Sequence, residues 1–382
     1  MKRTILIATA LLCGVIAKAQ KAETVVSFII EDHDPEWYAA QAEVWQKRVD
    51  ADPTDEWAWR NLFRATNYHQ MFTTGYGSNQ DSSQTADIIR RMEKAVPDSY
   101  VLNLSKGRFC LSTDSAALRG DNIYRAIELM PEDAVAEDVD YLACRLWSID
   151  PENPLVKELF TKSYEKRHYP SRIMHFNMNL LQSMQPNALY FANGDVLLAP
   201  MKILQDALGM RQDVTIVPLS YIHSPSFLKA FYDKFGIEPP SCKAEDYHKY
   251  GEDWFKHFEA DIVMHIIKKT KRPTYFATDI LQCTTLDRDS LYNEGLLLKY
   301  SPKQYDNFSV AMHNVEEVYH LEYLAEPDLV CDHWKSSEVL DRNCVTLLSN
   351  LVSKFRKKGK VAQADRLEGI LSAVLQQDNL EE

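Results

Sequence analysis

Asn193, Gly194, Asp195, Ser220, His223 and Asp279 are the residues whose types and spacing best suit ligand chemistry in this chain. Each stands at or just after the end of a short apolar run bounded by turn residues: Asn187 to Ala192, Val214 to Leu219, and Thr274 to Thr278. Such runs read as buried parallel strands. In an open α/β sheet ligands sit beyond the C-terminal strand ends, so if the three strands are neighbours these groups converge on one edge. There Asp195 would accept hydrogen bonds from sugar hydroxyls, and the amides near Gly194 would hold an anion at a helix start. The plainer account of the same triplet is a turn, with Asp195 as helix cap, Gly194 supplying a positive φ and Asn193 tying the loop.

Other chemistry is sparse. The chain has no GxSxG elbow, P-loop, GxGxxG or HExxH. His257 and Glu259 with His265, and Cys331, Asp332 and His333 with His320, lack the spacing of a zinc site. Glu316-Glu317 and Asp287 with Asp289 read as solvated carboxylates. No catalytic residue, metal ligand or cofactor is assigned. Trp37, Trp57 and Trp59 are the candidates for holding a partner, because repeat solenoids bind peptides on such aromatic faces. The polar stretch from Gly75 to Gln80 would form a rim beside them.

Helices must position most of these groups. Trp45 with Pro53, and Trp59 with Leu62, match the helix end and the next opening of a tetratricopeptide junction. Further helix ends at Pro97, Pro131 and Pro151 keep the repeat period of about 34 residues only once, so the array is degenerate. The expected organisation is a signal peptide at 1–19, a tetratricopeptide-like helical region at 20–185, an α/β domain at 186–336 and a C-terminal helical hairpin at 337–382. The fold class is therefore α/β plus α, a small parallel-sheet domain flanked by helical hairpins. A β-like stretch from Thr24 to Ile30 opens the mature chain.

Lys2 and Arg3, the apolar run Ile5 to Ile16, and Ala17-Lys18-Ala19 read as a cleaved secretory signal. The run falls short of the roughly 20 residues a membrane span needs. The chain is acidic, with a formal net charge of -12, and losing Lys2, Arg3 and Lys18 makes it more so. Such a surface argues against nucleic acid, whose phosphates require clustered Lys and Arg. Six cysteines remain after cleavage, and Cys331 with Cys344 is the pair best placed for a disulfide in an exported protein.

Residues from about 172 to 377 also resemble the soluble C-terminal region of a bacterial multi-spanning membrane family, first described as a domain of unknown function and related to protein O-mannosyltransferases. The residues carrying the likeness are Leu189 to Asp195, Pro200, Leu204-Gln205, Gly209 to Val214, Val217 to Ser220, Arg272 to Ala277 and Glu294-Gly295-Leu296. The resemblance implies a soluble accessory region linked to protein glycosylation. It implies no catalysis, since the membrane half that supplies the acidic residues is missing. It also departs at Val196-Leu197-Leu198, where the family has a polar run.

The resulting expectation is an exported, non-catalytic binding or assembly module of the periplasm or cell exterior, with an envelope protein or peptide as partner and a glycan as further ligand. The alternative is a soluble enzyme acting on a carbohydrate or phosphorylated ligand at the strand ends, through Asn193, Asp195, His223 and Asp279.

Overall fold

The computed structural model describes residues 21–75, 82–109, 116–278, 280, 285–326 and 334–378. The expected signal, most of the Gly75 to Gln80 rim, Asp279, Cys331, Asp332 and His333 lie outside them. The described chain is mostly helical with one small sheet, and it divides into two compact units, 33–105 with the preceding residues to Val25, and 106–382 with residues 26–32.

The first unit is built on α1 (Pro35–Ala51), α2 (Glu56–Thr74) and α3 (Ser83–Ala95). Asp34 starts α1 by accepting from the Trp37 amide, with Pro35 in the first turn where its missing N–H is harmless. Asp55 caps α2 through the Ala58 amide. Tyr38, Trp45, Trp59, Leu62 and Phe63 form the buried face between these helices. Thr24 to Ile30, expected to be β-like, pairs with no strand. Side chains of the helices satisfy the neighbouring backbone instead: Gln41 accepts from the Glu23 amide at 2.9 Å and Asn61 from the Val25 amide at 2.8 Å. Both amide side chains are buried, so their partners are obligatory.

After α4 (Tyr100–Arg108), the second unit runs through α5 (Ala116–Glu128), α6 (Ala136–Ile149), α7 (Pro154–Glu165) and α8 (Ser171–Ser183) before reaching the sheet. Strands β1 (Leu189–Ala192), β2 (Thr215–Pro218) and β3 (Thr274–Ala277) alternate with α9 (Asp195–Asp206), α10 (Pro225–Phe235) and α11 (Trp254–Thr270). The hairpin β4 (Leu291–Asn293) and β5 (Leu297–Tyr300) follows, then α12 (Asn307–His313), α13 (Lys335–Lys357) and α14 (Val361–Asp378).

The sheet order is β2-β1-β3-β5-β4. β1 pairs in parallel with β2 and β3, as the alternation of strands and helices requires, but β5 is antiparallel to both β3 and β4. The sheet is therefore mixed, not parallel. The physical cause is the turn Glu294-Gly295-Leu296: Gly295 takes φ +113 and donates its amide to Asn293 Oδ1 at 3.0 Å, which folds the chain straight back. Tyr190, Phe191, Tyr275 and Phe276 are fully enclosed, and the two Phe rings stack at 5.4 Å.

One helix start is unusual. The sequence places the helix after β1 from Ala199, yet α9 begins at Asp195 and contains Pro200. Proline lacks the N–H that would bond the carbonyl four residues back, that of Val196. The Asn177 side chain of α8 donates to this carbonyl at 2.8 Å. A tertiary contact thus replaces a missing helical bond and lets the helix begin directly at the end of β1.

Candidate functional site

The C-terminal ends of β1, β2 and β3 lie on one edge of the sheet, joined there by the β4–β5 turn. β1 lies between β2 and β3, where the chain reverses the direction in which it adds strands. That is the position at which open α/β sheets form a ligand crevice.

Asn193, Gly194 and Asp195 leave the end of β1. All three are exposed. Gly194 is the capping residue of α9, at φ +93, and α9 has no side-chain capping bond. Asp195 is the first helical residue, so the expected capping role does not hold and its carboxylate is available for other contacts. A carboxyl in a first helical turn is normally held ionised by the helix dipole. Asp195 is instead pushed upward, first by desolvation and then by the charge of Asp140, against the pull of Arg108 and His168. Asp195 is thus reached by solvent and at the same time partly desolvated by the neighbouring protein.

Asp140 comes from the buried face of α6. It accepts from Ser163 Oγ at 3.0 Å, Tyr169 OH at 2.9 Å and, more weakly, Cys144 Sγ at 3.9 Å, with His168 Nε2 at 3.8 Å. Burial raises its carboxyl to about 6 despite these donors and the nearby Arg108. Asp138, two residues earlier and also buried, pairs with Arg108 at 3.0 Å, and that guanidinium lies 3.9 Å over the Tyr141 ring. Burial, reinforced by the charges of Asp140 and Asp195, drives the Cys144 thiol well above its ordinary value, which keeps it protonated and a poor nucleophile. Tyr221 closes the group by donating to the Cys144 carbonyl at 2.8 Å. Asp140 is enclosed and well bonded, so Asp195 is the member of this cluster that a ligand could reach.

The other expected residues separate from this centre. His223 turns to α11, with Nε2 at 2.7 Å from Glu259 Oε1 and its ring against Trp254 and Phe258. Ser220 is exposed and makes no side-chain hydrogen bond among the described residues. Asp279 lies outside the described residues, although Thr278 before it is on the same edge.

Of the tryptophans, Trp59 is buried, donates to the Pro53 carbonyl at 2.9 Å and packs under Arg91, so it serves the core and offers no binding face. Trp37 stacks on His33 at 3.7 Å. Trp57 is 39% exposed with Arg60 over its ring, and of the three it presents the most surface.

No group of three or more His, Cys, Asp or Glu among the described residues is placed to hold a metal ion. His265 bonds the Glu238 carbonyl and His257 stacks on Tyr250. Cys344 is buried, while Cys331, its expected partner, is outside the described residues.

The Asp138–Asp140 cluster was not singled out from the sequence, though a signal existed. On α6 the buried apolar positions are Val139, Leu142, Ala143, Leu146 and Trp147, and two acids are buried beside them. Buried acids require partners.

No family model, curated protein or solved structure matches the chain.

Proposed function

We propose that this chain is an exported, non-catalytic binding module of the cell envelope that holds a hydroxyl-bearing ligand at the C-terminal edge of its sheet, with Asp195 as the central acceptor. The observation that carries this reading is Asp195 itself: exposed, free of capping duty and partly desolvated at the end of the central parallel strand. Asn193 adds an amide and Gly194 leaves open space beside the backbone, with nothing within 4 Å of the position a Cβ would take. The resemblance of residues 172 to 377 to the soluble region of an O-mannosyltransferase-related family supports a link to protein glycosylation. Trp57 is the residue of the first unit best suited to an envelope protein or peptide.

A glycan array read with the full chain, followed by hydrogen exchange with and without the best ligand, tests the proposal. Ligand should slow exchange at residues 192–198. Asp195→Ala should abolish that protection and leave the melting temperature nearly unchanged. A melting loss worth the roughly 1 kcal/mol of a helix cap, with binding retained, would refute it.

The enzymatic alternative, acting on a carbohydrate or phosphorylated ligand, draws on the same carboxyl. Desolvation pushes it upward, the direction in which a carboxyl becomes a better general acid. Hydrolysis of activated glycosides or phosphate esters that disappears in Asp195→Asn would decide in its favour.

A further inference from the structure

A cavity of about 600 Å³ opens on the same edge of the sheet but beyond β3, between the β4–β5 turn, α12 and α13. We infer that this cleft is a binding site for a saccharide carrying one acidic group, held by Asn307, Asn350, Thr278 and Thr346 around its hydroxyls and by Lys354 at its charge.

The size is that of a small-molecule site, and the place is the ligand-binding edge of an open sheet. The polar groups are neutral amides and hydroxyls, which both donate and accept and therefore suit vicinal hydroxyls. Several are uncommitted. Asn307 donates to the Asn293 carbonyl at 2.7 Å and Asn350 to the Thr346 carbonyl at 3.0 Å, which fixes both amide planes and leaves each Oδ1 without a partner among the described residues. The hydroxyls of Thr278 and Thr346 have no hydrogen-bond partner there either. Leu296 and Leu347 supply apolar wall for the C–H face of a sugar ring.

The charge argument rests on Lys354. Its ammonium lies 4.3 Å from the Phe308 ring centroid and is in no ion pair among the described residues. Lys358 lies over the same ring at 4.7 Å, but it has an acid near it: Asp306, whose carboxyl is lowered first by its bonds to Ser309 and further by Lys358. Lys354 is the uncompensated cation facing the cleft. The turn beneath is closely packed. Gly295 packs so closely against Tyr319 that an added Cβ would meet its hydroxyl at 2.8 Å, and the same hydroxyl accepts from the Leu296 amide at 3.1 Å. A site on such a scaffold loses little entropy on binding.

This inference does not depend on Asp195. Calorimetry of the full chain with 3′-sialyllactose and glucuronic acid, each with one carboxylate, against neutral lactose and glucose, tests it. At least one acidic probe should bind, weaken with added salt, and protect residues 293–308 and 346–354 from exchange. Lys354→Gln should weaken it about tenfold while changing neutral probes little. Thr346→Trp, a surface change that fills the cleft, should abolish binding with an unaltered melting curve. Asp195→Asn should leave it intact, which separates failure here from failure of the Asp195 reading. No binding by either acidic probe, equal binding of acidic and neutral probes, or full affinity in Thr346→Trp would overturn the inference.

Discussion

Asp140 makes the second unit sensitive to pH in a direction opposite to that of an ion-paired carboxylate. In the unfolded chain an aspartate titrates near 3.8, whereas the buried Asp140 is pushed up to about 6. Between these values the folded protein holds a proton that the unfolded chain has released, so stability falls as pH rises through the window. At 1.36 kcal/mol per pH unit the full effect is about 3 kcal/mol. Asp140 is only 6% exposed, so solvent screening takes little from this. Asp195 shifts in the same direction, while Asp213, lowered to about 2 chiefly by Arg211, acts below this window and with the opposite sign. Asp140→Asn cannot ionise and should remove most of the slope. The assay is native-state hydrogen exchange of the α6 amides from about pH 4.5 to 7, corrected for intrinsic rates, since whole-chain melting would average over both units. Protection that rises with pH in the wild type, or declines equally in Asp140→Asn, would refute the reasoning.

Two further outcomes follow from packing. Gly295→Ala forces a side chain into a φ of +113 and against the Tyr319 hydroxyl, so it should lower stability by about 1–3 kcal/mol and disrupt the cleft, checked by denaturant unfolding and acidic-saccharide titration. Trp59→Ala removes an enclosed ring and should cost about 3–5 kcal/mol, whereas Trp57→Ala should stay within about 0.5 kcal/mol and show only in partner binding, measured by melting and pull-down.

The three parallel strands were legible because each is a short, wholly apolar run between turn residues, and the ends of β1 to β3 coincide closely with those runs. β4 and β5 were not, because Leu291-Tyr292-Asn293 and Leu297-Leu298-Lys299-Tyr300 mix apolar and polar residues and are too short to show a period. Their pairing is long-range, and it turned a sheet expected to be parallel into a mixed one. The start of α9 was misplaced because Pro200 reads locally as a helix boundary, while the contact that overrides it comes from Asn177. At the site, Asp195 was visible from its position after a strand. Asp140 was not, since it stands 55 positions earlier on a helix assigned to another domain, and Asn307, Asn350 and Lys354 are ordinary surface residues until the chain brings them to one cleft.

The bond from Asn177 to the Val196 carbonyl carries a meaning for how the molecule can be divided and assembled. The turn that presents Asp195 is held locally, by the Leu197 and Leu198 amides donating to the Gly194 carbonyl, but the helix behind it borrows one donor from α8. A fragment cut before β1, at the boundary the sequence suggests, would retain every residue of the Asn193-Gly194-Asp195 loop and yet leave the Val196 carbonyl without its protein donor.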